Sequence, residues 1–327
     1  MQTLGPDVLS FDMDGEVARI GLRLREILSK ELNRRGLVVA MSGGIDSSVS
    51  TALAARALGP KKVFGLILPE KDSASDSKAK AEMLAEKLGI QYAIQDIAPT
   101  LEAIGCYRWR DEAIRSVFPR YGEGCKSKIV ISGGTEGQVN HFQLVIQTPA
   151  GELHTERLPL KEYLQIVAAT NFKQRIRKTI EYFHADRLNY AVVGTPNRLE
   201  YDQGFFVKNG DGSADVKPIA HLYKSQVYAL ARHLELPDAI CSTSPTTDTY
   251  SLPQGQDEFY FALPYPQMDL ALWAFNHDVD TSDLAEALST DRAHAAFIYQ
   301  DIRNKRRTTH YLHAAPYLIE PVPEISK

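Results

Sequence analysis

The chain contains little cysteine, and its cysteines are not paired. Of the 327 residues only three are cysteines, Cys106, Cys125 and Cys241, and no two of them form a CxxC motif. A disulfide framework and a zinc ribbon both depend on closely paired cysteines, so the sequence predicts neither. A reducing compartment, the cytoplasm, is therefore the expected location.

The chain also lacks an excess of basic residues and a long apolar run. Its formal net charge of −4 argues against a general nucleic-acid binder, which usually carries a basic surplus. No apolar stretch approaches the roughly 20 residues that cross a bilayer. The N-terminus carries Asp7, Asp12 and Asp14 where a targeting segment would be basic. We therefore expect neither a nucleic-acid nor a membrane partner.

The most informative stretch extends from Leu37 to Leu58. The apolar run Leu37 to Met41 is typical of a strand buried on both faces, and Val49 to Leu58 is rich in helix-forming alanine and leucine. Between them lies SGGIDSS, from Ser42 to Ser48. A strand, a glycine turn and a helix aim backbone N–H groups and the positive end of a helix dipole at an anion.

The residues of this turn distinguish it from other phosphate-binding loops. It lacks the Lys-Ser/Thr ending of a Walker A loop and the third glycine of a dinucleotide fingerprint. It resembles instead the SGGxDS loop of the ATP pyrophosphatases, the PP-loop group, which cut ATP between the α and β phosphates. Gly43 and Gly44 permit a tight turn, and Asp46 is suited to hold magnesium against the phosphates. An ordinary strand–helix turn without a ligand is the alternative interpretation.

Strand and helix patterns alternate along the chain. Strands are predicted at Leu37 to Met41, Val63 to Leu68, Gln91 to Ile97 and Tyr190 to Val193. Helices are predicted at Asp14 to Leu32, with Asp14 as the N-cap, and at Val49 to Leu58, Ser77 to Leu88 and Lys161 to Ala185. This order predicts one α/β domain over residues 1–327, a doubly wound, mainly parallel sheet with flanking helices and its ligand at the carboxyl ends of the strands.

The alternation is interrupted between Cys106 and Pro159, where the sequence predicts a small β-rich insertion. Lys128 to Ile131 and Phe142 to Ile146 have strand character. The second glycine-rich loop, Ser132 to Gly137, precedes a strand, so no helix dipole would face an anion there and a simple inter-strand loop is favoured. Because a loop after a strand emerges on the ligand side, we expect the insertion to border the substrate pocket, away from the phosphate loop; a dimer contact is the alternative.

Further motifs follow in the order of one family. The stretches NFKQRIRK (171–178), GTPNRLE (194–200), GFFVKNGDGSAD (204–215), HLYKSQV (221–227) and SPTTD (244–248), together with the SGGIDSS loop, resemble those of the NAD synthases, which are amide-forming ATP pyrophosphatases. The resemblance covers about Gly21 to Gly105 and Leu160 to Pro316. It implies an adenine nucleotide alpha hydrolase-like fold, use of ATP and Mg²⁺, and a homodimer.

The resemblance also implies roles for individual residues. Asp46 and Lys224 would be catalytic. The implied ATP-binding residues are Ser42, Gly43, Gly44, Asp46, Ser47, Ser48, Lys71, Thr195 and Lys224. The acid substrate would contact Asn171, Arg175, Lys208, Asp211 and Asp215, and the metal would be held by Asp46, Glu200 and Thr246.

The implied reaction converts deamido-NAD and ammonia to NAD through an acyl-adenylate, releasing AMP and pyrophosphate. Asn304-Lys305-Arg306 replaces a His-Lys-Arg triplet that many members carry, so amidation of another, nucleotide-linked acid remains an alternative. A nucleotide-binding protein without turnover is a further alternative. Fewer than twenty residues precede the first predicted helix, too few for an amidase domain. We therefore expect free ammonia, or ammonia delivered by a separate glutaminase.

Overall fold

A four-stranded parallel sheet forms the centre of the protein in a computed structural model, which describes residues 4–132, 141–243, 250–253, 255, 260 and 263–325. The strands are β1 Leu37–Ala40, β2 Val63–Ile67, β3 Gln91–Ile94 and β7 Ala191–Val193. The strand order is β3-β2-β1-β7. Leu37 in β1 lies opposite Val63 in β2 and Ala191 in β7.

Helices cover both faces of this sheet. The helices are α1 Met13–Glu26, α2 Ile45–Leu58, α3 Ser77–Leu88, α4 Ala98–Ala103, α5 Cys106–Val117, α6 Leu160–Leu188, α7 Arg198–Gln203, α8 Lys224–His233, α9 Asp238–Cys241, α10 Tyr265–Asn276, α11 Thr281–Ala287 and α12 Arg292–His313. Leu37 and Val39 pack with α1, α2, α3 and α8, whereas Val38 between them packs with α4, α5 and α6. Alternate residues of a strand point to opposite faces, so the doubly wound α/β fold predicted from the sequence is confirmed.

Three details of the helices differ from the predictions, and the first is that α2 begins at Ile45 and not at Val49. The N-cap of α1 is Asp12 and not Asp14, because the Asp12 carboxylate accepts a hydrogen bond from the Gly15 N–H at 3.1 Å. Asp14 lies in the first turn, where its charge favours the helix dipole. The long helix α6 runs three residues beyond the predicted Ala185, to Leu188, and is capped by Asn189, which adopts the left-handed conformation.

The predicted β-rich insertion begins with a helix. Its residues 106–117 form α5, whose apolar side packs on α6, so the β-rich prediction was wrong for this first part. An antiparallel sheet follows in the order β4-β5-β6, with β4 Lys126–Ser132, β5 His141–Gln147 and β6 Leu153–Arg157. Ile129, Leu144 and Ile146 of this sheet pack against Ile114 of α5 and Ile166 of α6. Nearly all of the second glycine-rich loop, residues 133–137, lies outside the described residues.

A second apolar cluster carries the C-terminal helices. Met268 of α10, Leu284 of α11 and Ile298 of α12 pack together and against Leu199 of α7 and Tyr223, which precedes α8. This cluster therefore supports α7 and the start of α8, which begin just beyond the edge of the parallel sheet. Among the described residues, no helix is both long and apolar enough to span a bilayer.

Candidate active site

A cleft of about 510 Å³ opens at the carboxyl edge of the parallel sheet. Its walls come from the segments that follow three adjacent strands: Ser42 after β1, Pro69 after β2 and Thr195 after β7. Lys224, at the start of α8, and Glu200, in the first turn of α7, complete it. This is the edge at which a doubly wound sheet binds its ligand.

The SGGIDSS loop forms the floor of the cleft. Gly43 has φ +77°, and a Cβ there would come within 2.5 Å of the Ser77 carbonyl oxygen of α3, so this position admits only glycine. The Ser42 Oγ accepts a hydrogen bond from the Gly44 N–H at 3.2 Å. Helix α2 begins at Ile45, directly behind this turn. The N-terminus of α2 and its unpaired N–H groups thus face the cleft, as an anion site requires.

Two of the serines differ in their position. Ser47 lines the cleft, and its Oγ accepts a hydrogen bond from the Ser42 N–H at 3.3 Å. Ser48 is almost completely buried, and its Oγ donates to the Gly44 carbonyl at 2.8 Å. The structure therefore brings Ser42, Gly43, Gly44, Asp46 and Ser47 to the cleft surface and places Ser48 beneath it.

Asp46 is held from two sides. Its Oδ2 pairs with the ammonium of Lys224, and its Oδ1 accepts a hydrogen bond from the Asn197 amide at 3.2 Å. The Asn197 Oδ1 also accepts from the backbone N–H of Leu199 at 2.9 Å, which caps α7. The N-termini of α2, α7 and α8 therefore meet around one carboxylate. Asn197 was not predicted as a site residue from the sequence, although it stands inside the GTPNRLE motif.

Lys224 is 1% exposed, and its charge is maintained by neighbouring carboxylates. Burial lowers the pKa of this lysine, but the charges of Asp46 and Glu200 raise it further, so the net pKa lies above the ordinary value. Lys224 therefore carries a fixed positive charge in the wall of the cleft. Such a charge is suited to an anionic ligand.

Asp269 fixes the helix that presents Lys224. Its carboxylate accepts hydrogen bonds from the backbone N–H of Lys224 at 3.1 Å and of Ser225 at 2.7 Å. These are two of the first N–H groups of α8, which have no partner within the helix. Burial raises the pKa of Asp269 to about 6, against the opposing effect of the Ser225 hydrogen bonds. Asp269 was not predicted from the sequence, because it lies 45 positions from its partner Lys224.

Two predicted ATP residues and one predicted metal ligand have different outcomes. Thr195 lines the cleft directly after β7. Lys71 does not line it; its ammonium pairs with Glu102 and lies 4.5 Å from the ring centre of Tyr107. Thr246 lies outside the described residues.

The predicted acid-binding residues are only partly brought together. Asn171 and Arg175 do not line the cleft, and Arg175 is exposed with its Nε donating to the Lys208 carbonyl at 3.3 Å. The Lys208 ammonium donates to the carbonyls of Tyr311, at 2.5 Å, and Ala314, at 3.0 Å. The predicted lid segment is thus tied to the end of α12.

The two aspartates of this segment have separate positions. Asp211 lines the cleft and accepts a hydrogen bond from the Val207 N–H at 2.7 Å, and burial raises its pKa. Asp215 does not line the cleft; it accepts from the Val192 N–H at 2.7 Å and from the Tyr182 hydroxyl at 3.3 Å. Asp215 therefore ties this segment to β7.

Several charged residues of the cleft were not predicted from the sequence. Arg177 lines it, whereas the family resemblance implies a ligand contact for Arg175, two residues away and on another side of α6. Lys80 lines it and pairs with Asp76 at 2.6 Å. Lys178 and Glu181 line it as a buried pair at 2.7 Å. Lys80 belongs to no recognised sequence motif. Its place in the cleft becomes evident only from the close approach of α3 to Gly43.

The donor set at the cleft fits a hard divalent cation. Among the described residues no group of three or more His, Cys, Asp or Glu side chains converges as a complete cage. Asp46 and Glu200 supply two carboxylates beside the anion loop. Mg²⁺ characteristically takes one or two protein carboxylates and completes its shell with phosphate oxygens and water. The residues present therefore fit such an ion when it arrives with a phosphate ligand.

Comparison with known proteins adds independent findings. A model of the NAD synthase family matches residues 16–116 and 140–311. The chain is 55% identical to the NH(3)-dependent NAD(+) synthetase of Rhizobium meliloti (strain 1021), over 98% of this chain and 96% of that protein. It is 37% identical to the NH(3)-dependent NAD(+) synthetase of Thermotoga maritima, over 78% of this chain and 85% of that one.

Solved structures show the same fold. An NH3-dependent NAD synthetase from Campylobacter jejuni superposes with a TM-score of 0.62 at 21% identity, covering 95% of this chain and all of that one (100%). An NMN synthetase from Francisella tularensis superposes with a TM-score of 0.63 at 22% identity, covering 94% and 99%. At these identities the likeness concerns the fold.

Proposed function

The chain belongs to the NAD synthase family, and we propose that it is an ATP-dependent amide ligase that forms NAD from deamido-NAD and ammonia. One observation carries the proposal: the SGGIDSS loop, Lys224 and two carboxylates converge on one cleft at the carboxyl edge of the sheet. The near-full-length relative at 55% identity, which is called an NH(3)-dependent NAD(+) synthetase, supports the same reaction.

The reaction divides into two substitutions. A carboxylate cannot be amidated directly, because oxide would have to leave. An oxygen of the acid therefore attacks the α-phosphorus of ATP, the bond to the bridging oxygen of the β-phosphate breaks, and pyrophosphate departs. Ammonia then attacks the acyl carbon, the acyl–oxygen bond breaks, AMP leaves with the electron pair, and the nitrogen releases one proton.

The residues of the cleft act chiefly through charge. Negative charge builds on the departing pyrophosphate, and the N–H groups at the start of α2, the Ser42 and Ser47 hydroxyls and the Lys224 ammonium lie where they would stabilise it. A magnesium ion held by Asp46 and Glu200 would neutralise phosphate charge. Neither substitution requires a protein nucleophile.

A second candidate function differs from the first only in the acid that is amidated. One solved structure of this fold is called an NMN synthetase, so the fold occurs with more than one named product. Fold alone does not determine the substrate. The second candidate is therefore the same ATP- and ammonia-dependent amidation of another nucleotide-linked carboxylic acid. A nucleotide-binding protein without turnover is disfavoured, because the fixed charges of Lys224, Asp46 and Glu200 are assembled at one site.

We further propose that the enzyme is a cytoplasmic homodimer that uses free ammonia or ammonia from a separate glutaminase. Leu160 and Leu164, one turn apart at the start of α6, are 69% and 55% exposed. Such adjacent exposed leucines favour contact with a second protein surface. Sedimentation of the wild type beside Leu164→Arg tests the dimer, which the added charge would dissociate.

The deciding experiment measures products. Purified protein is incubated with ATP, Mg²⁺, ammonium and one acid from a panel that includes deamido-NAD and nicotinic acid mononucleotide. We expect AMP and pyrophosphate in equal amounts and the highest kcat/KM with deamido-NAD. Stoichiometric ADP would refute the proposed chemistry, and a higher kcat/KM with another acid would favour the second candidate.

A further inference from the structure

A network of buried charges lies behind the wall of the cleft. Lys173 of α6 is 1% exposed, and its ammonium contacts Glu70 Oε1 at 3.1 Å and Asp72 Oδ2 at 2.6 Å. Both acids belong to the segment between β2 and α3. The Glu70 side chain is completely buried and that of Asp72 is 9% exposed. A buried ion pair needs such close geometry, because each unpaired charge would be costly.

Helix α5 completes the network from the other side. The Arg110 guanidinium pairs with the same Asp72 oxygen at 2.6 Å, and the Tyr107 hydroxyl donates to Glu70 Oε2 at 2.8 Å. Burial raises the pKa of Asp72, but Lys173 and Arg110 lower it further, so the net pKa lies below the ordinary value. Two helices thus hold two carboxylates of one short segment.

That short segment is also part of the cleft. Pro69 and Ser73, on either side of the buried acids, line the cleft, whereas Glu70 and Asp72 do not. The Ser73 side chain accepts a hydrogen bond from the Glu70 N–H at 3.0 Å, so the turn is closed on itself. The two ends of this segment, Pro69 and Ser73, therefore face the cleft, while the carboxylates of Glu70 and Asp72 between them are held in the buried network. The position of the cleft wall depends on where the network holds Glu70 and Asp72.

We propose that Lys173 is a positioning residue for the nucleotide: through Glu70 and Asp72 it fixes the β2–α3 segment against which ATP packs. This rests on the proposed function, in which ATP occupies the cleft. Supporting groups of this kind hold the ligand-contacting residues in place without touching the ligand themselves. The reacting groups around Asp46 and Lys224 belong to other elements, so the network acts on ATP affinity and leaves the chemical step unchanged.

The test compares two variants with a matched control. Lys173→Met removes the ammonium and leaves both acids buried. Lys173→Met/Glu70→Gln removes one charge of each sign, and the glutamine oxygen can still accept from Tyr107, so this variant retains the fold. Arg108→Met is the control, because Arg108 lies on the same helix as Arg110 but its side chain is 65% exposed.

Binding of α,β-methylene-ATP is measured by calorimetry, and kcat is measured together with KM for ATP and KM for the acid. We expect the double variant to bind the analogue about tenfold more weakly, with a matching rise in KM for ATP and little change in kcat or in KM for the acid. Arg108→Met should match the wild type. If the double variant is folded by circular dichroism and retains wild-type affinity, or if kcat falls instead, the inference is wrong. If the wild type itself does not bind the analogue, the proposed function fails first.

Discussion

The ammonium of Lys224 pairs with the carboxylate of Asp46, joining the first turns of two helices that are 178 residues apart in sequence. Asp46 is at the same time the residue that the sequence predicts to hold magnesium. The lysine thus neutralises a carboxylate that a cation would otherwise neutralise. We infer that the lysine and the metal compete for this oxygen until a phosphate offers the lysine a second partner.

Lys224→Met is expected to change metal affinity and turnover in opposite directions. Without the ammonium, Asp46 is free to bind Mg²⁺, so the affinity for the ion in the absence of nucleotide should rise by about tenfold. Turnover should fall by about 100-fold or more, because a phosphate-stabilising charge is lost. The shift of the melting temperature on Mg²⁺ addition reports the first effect independently of activity.

The control for this variant lies on the same helix. Arg232 is near the end of α8 and is exposed, so Arg232→Met removes one positive charge far from the cleft edge. It should leave the Mg²⁺ titration and turnover unchanged. Equal Mg²⁺ affinity in the wild type and Lys224→Met would contradict the competition.

Glu200→Gln separates metal binding from helix capping. The Glu200 Oε2 accepts a hydrogen bond from the Asn197 N–H at 3.1 Å as part of a capping box, and the oxygen of a glutamine can accept the same bond. We therefore expect an unchanged melting temperature but a higher Mg²⁺ concentration for half-maximal activity and a kcat reduced by about 100-fold. Near-normal activity at saturating Mg²⁺ would exclude Glu200 as a ligand.

The phosphate side of the site could be predicted from the sequence because it is encoded locally. A buried strand, a glycine turn and a helix within Leu37 to Leu58 determine one another's geometry, so Ser42 to Ser47 reach the cleft as expected. Lys224 and Thr195 were identified through motifs at the starts of other elements. The family and the doubly wound fold were predicted for the same reason and are confirmed.

The acid side could not be predicted in the same way, because its residues are positioned by distant partners. Lys208 is held by carbonyls at the end of α12, and Asp215 by the Val192 N–H. No local sequence pattern predicts either of these two contacts. Lys71 likewise faces Glu102 and Tyr107 of later helices and not the cleft. Their implied contacts with the acid or ATP therefore remain predictions that ligand binding must test.

Asp269 should make the free energy of unfolding depend on pH. Its pKa in the folded protein is raised to about 6, above the ordinary 3.8. A raised carboxyl pKa contributes stability that is complete below about pH 4 and is lost as the pH rises through about 6, amounting to about 3 kcal/mol for two pKa units. Asp269→Asn has no such group. The difference in unfolding free energy between wild type and variant should therefore shrink from pH 4 to pH 7 in urea titrations.

A constant difference across that pH range would show that Asp269 keeps an ordinary pKa. Asp269→Asn should also be less stable than the wild type by an amount that does not depend on pH. One amide oxygen replaces the two carboxylate oxygens that accept from the backbone N–H groups of Lys224 and Ser225. The two effects are distinct, since only the first varies with pH.

Ammonium, and not glutamine, should support turnover of the purified chain. Hydrolysis of glutamine by a cysteine amidase requires an accessible thiolate. Burial raises the pKa of Cys106 to about 11, and its thiol donates to the Ala169 carbonyl. Burial also raises the pKa of Cys241, and Cys125 packs against the apolar cluster between α5 and the small sheet and does not line the cleft. AMP release should therefore occur with ammonium chloride and be absent with glutamine in ammonia-free buffer; equal rates with both would refute this prediction.

The small antiparallel sheet offers the last prediction. None of its described residues lines the cleft, whereas α5, just before it, holds Asp72 through Arg110. A variant in which residues 126–157 are replaced by a short Gly/Ser linker keeps Arg110 and the other members of the buried network, although it uncovers Ile114 and Ile166, which pack on the sheet. We expect its KM for ATP to stay within about twofold of the wild type.

The acid kinetics of this linker variant distinguish the two possible roles of the sheet. If the sheet borders the acid pocket, as its place after β3 in the chain favours, KM for the acid should rise or the preference within the acid panel should change. If it extends a dimer contact, sedimentation should show a smaller particle while the acid kinetics remain those of the wild type. The exposed Leu153 on β6, at 64%, gives a matched point variant, Leu153→Asp, which would disturb a dimer contact without removing the sheet. If the sheet borders the pocket, the linker variant should therefore change the acid kinetics, whereas Leu153→Asp should leave them unchanged. An exposed side chain on β6 does not contribute to a pocket on the opposite face of the same strand.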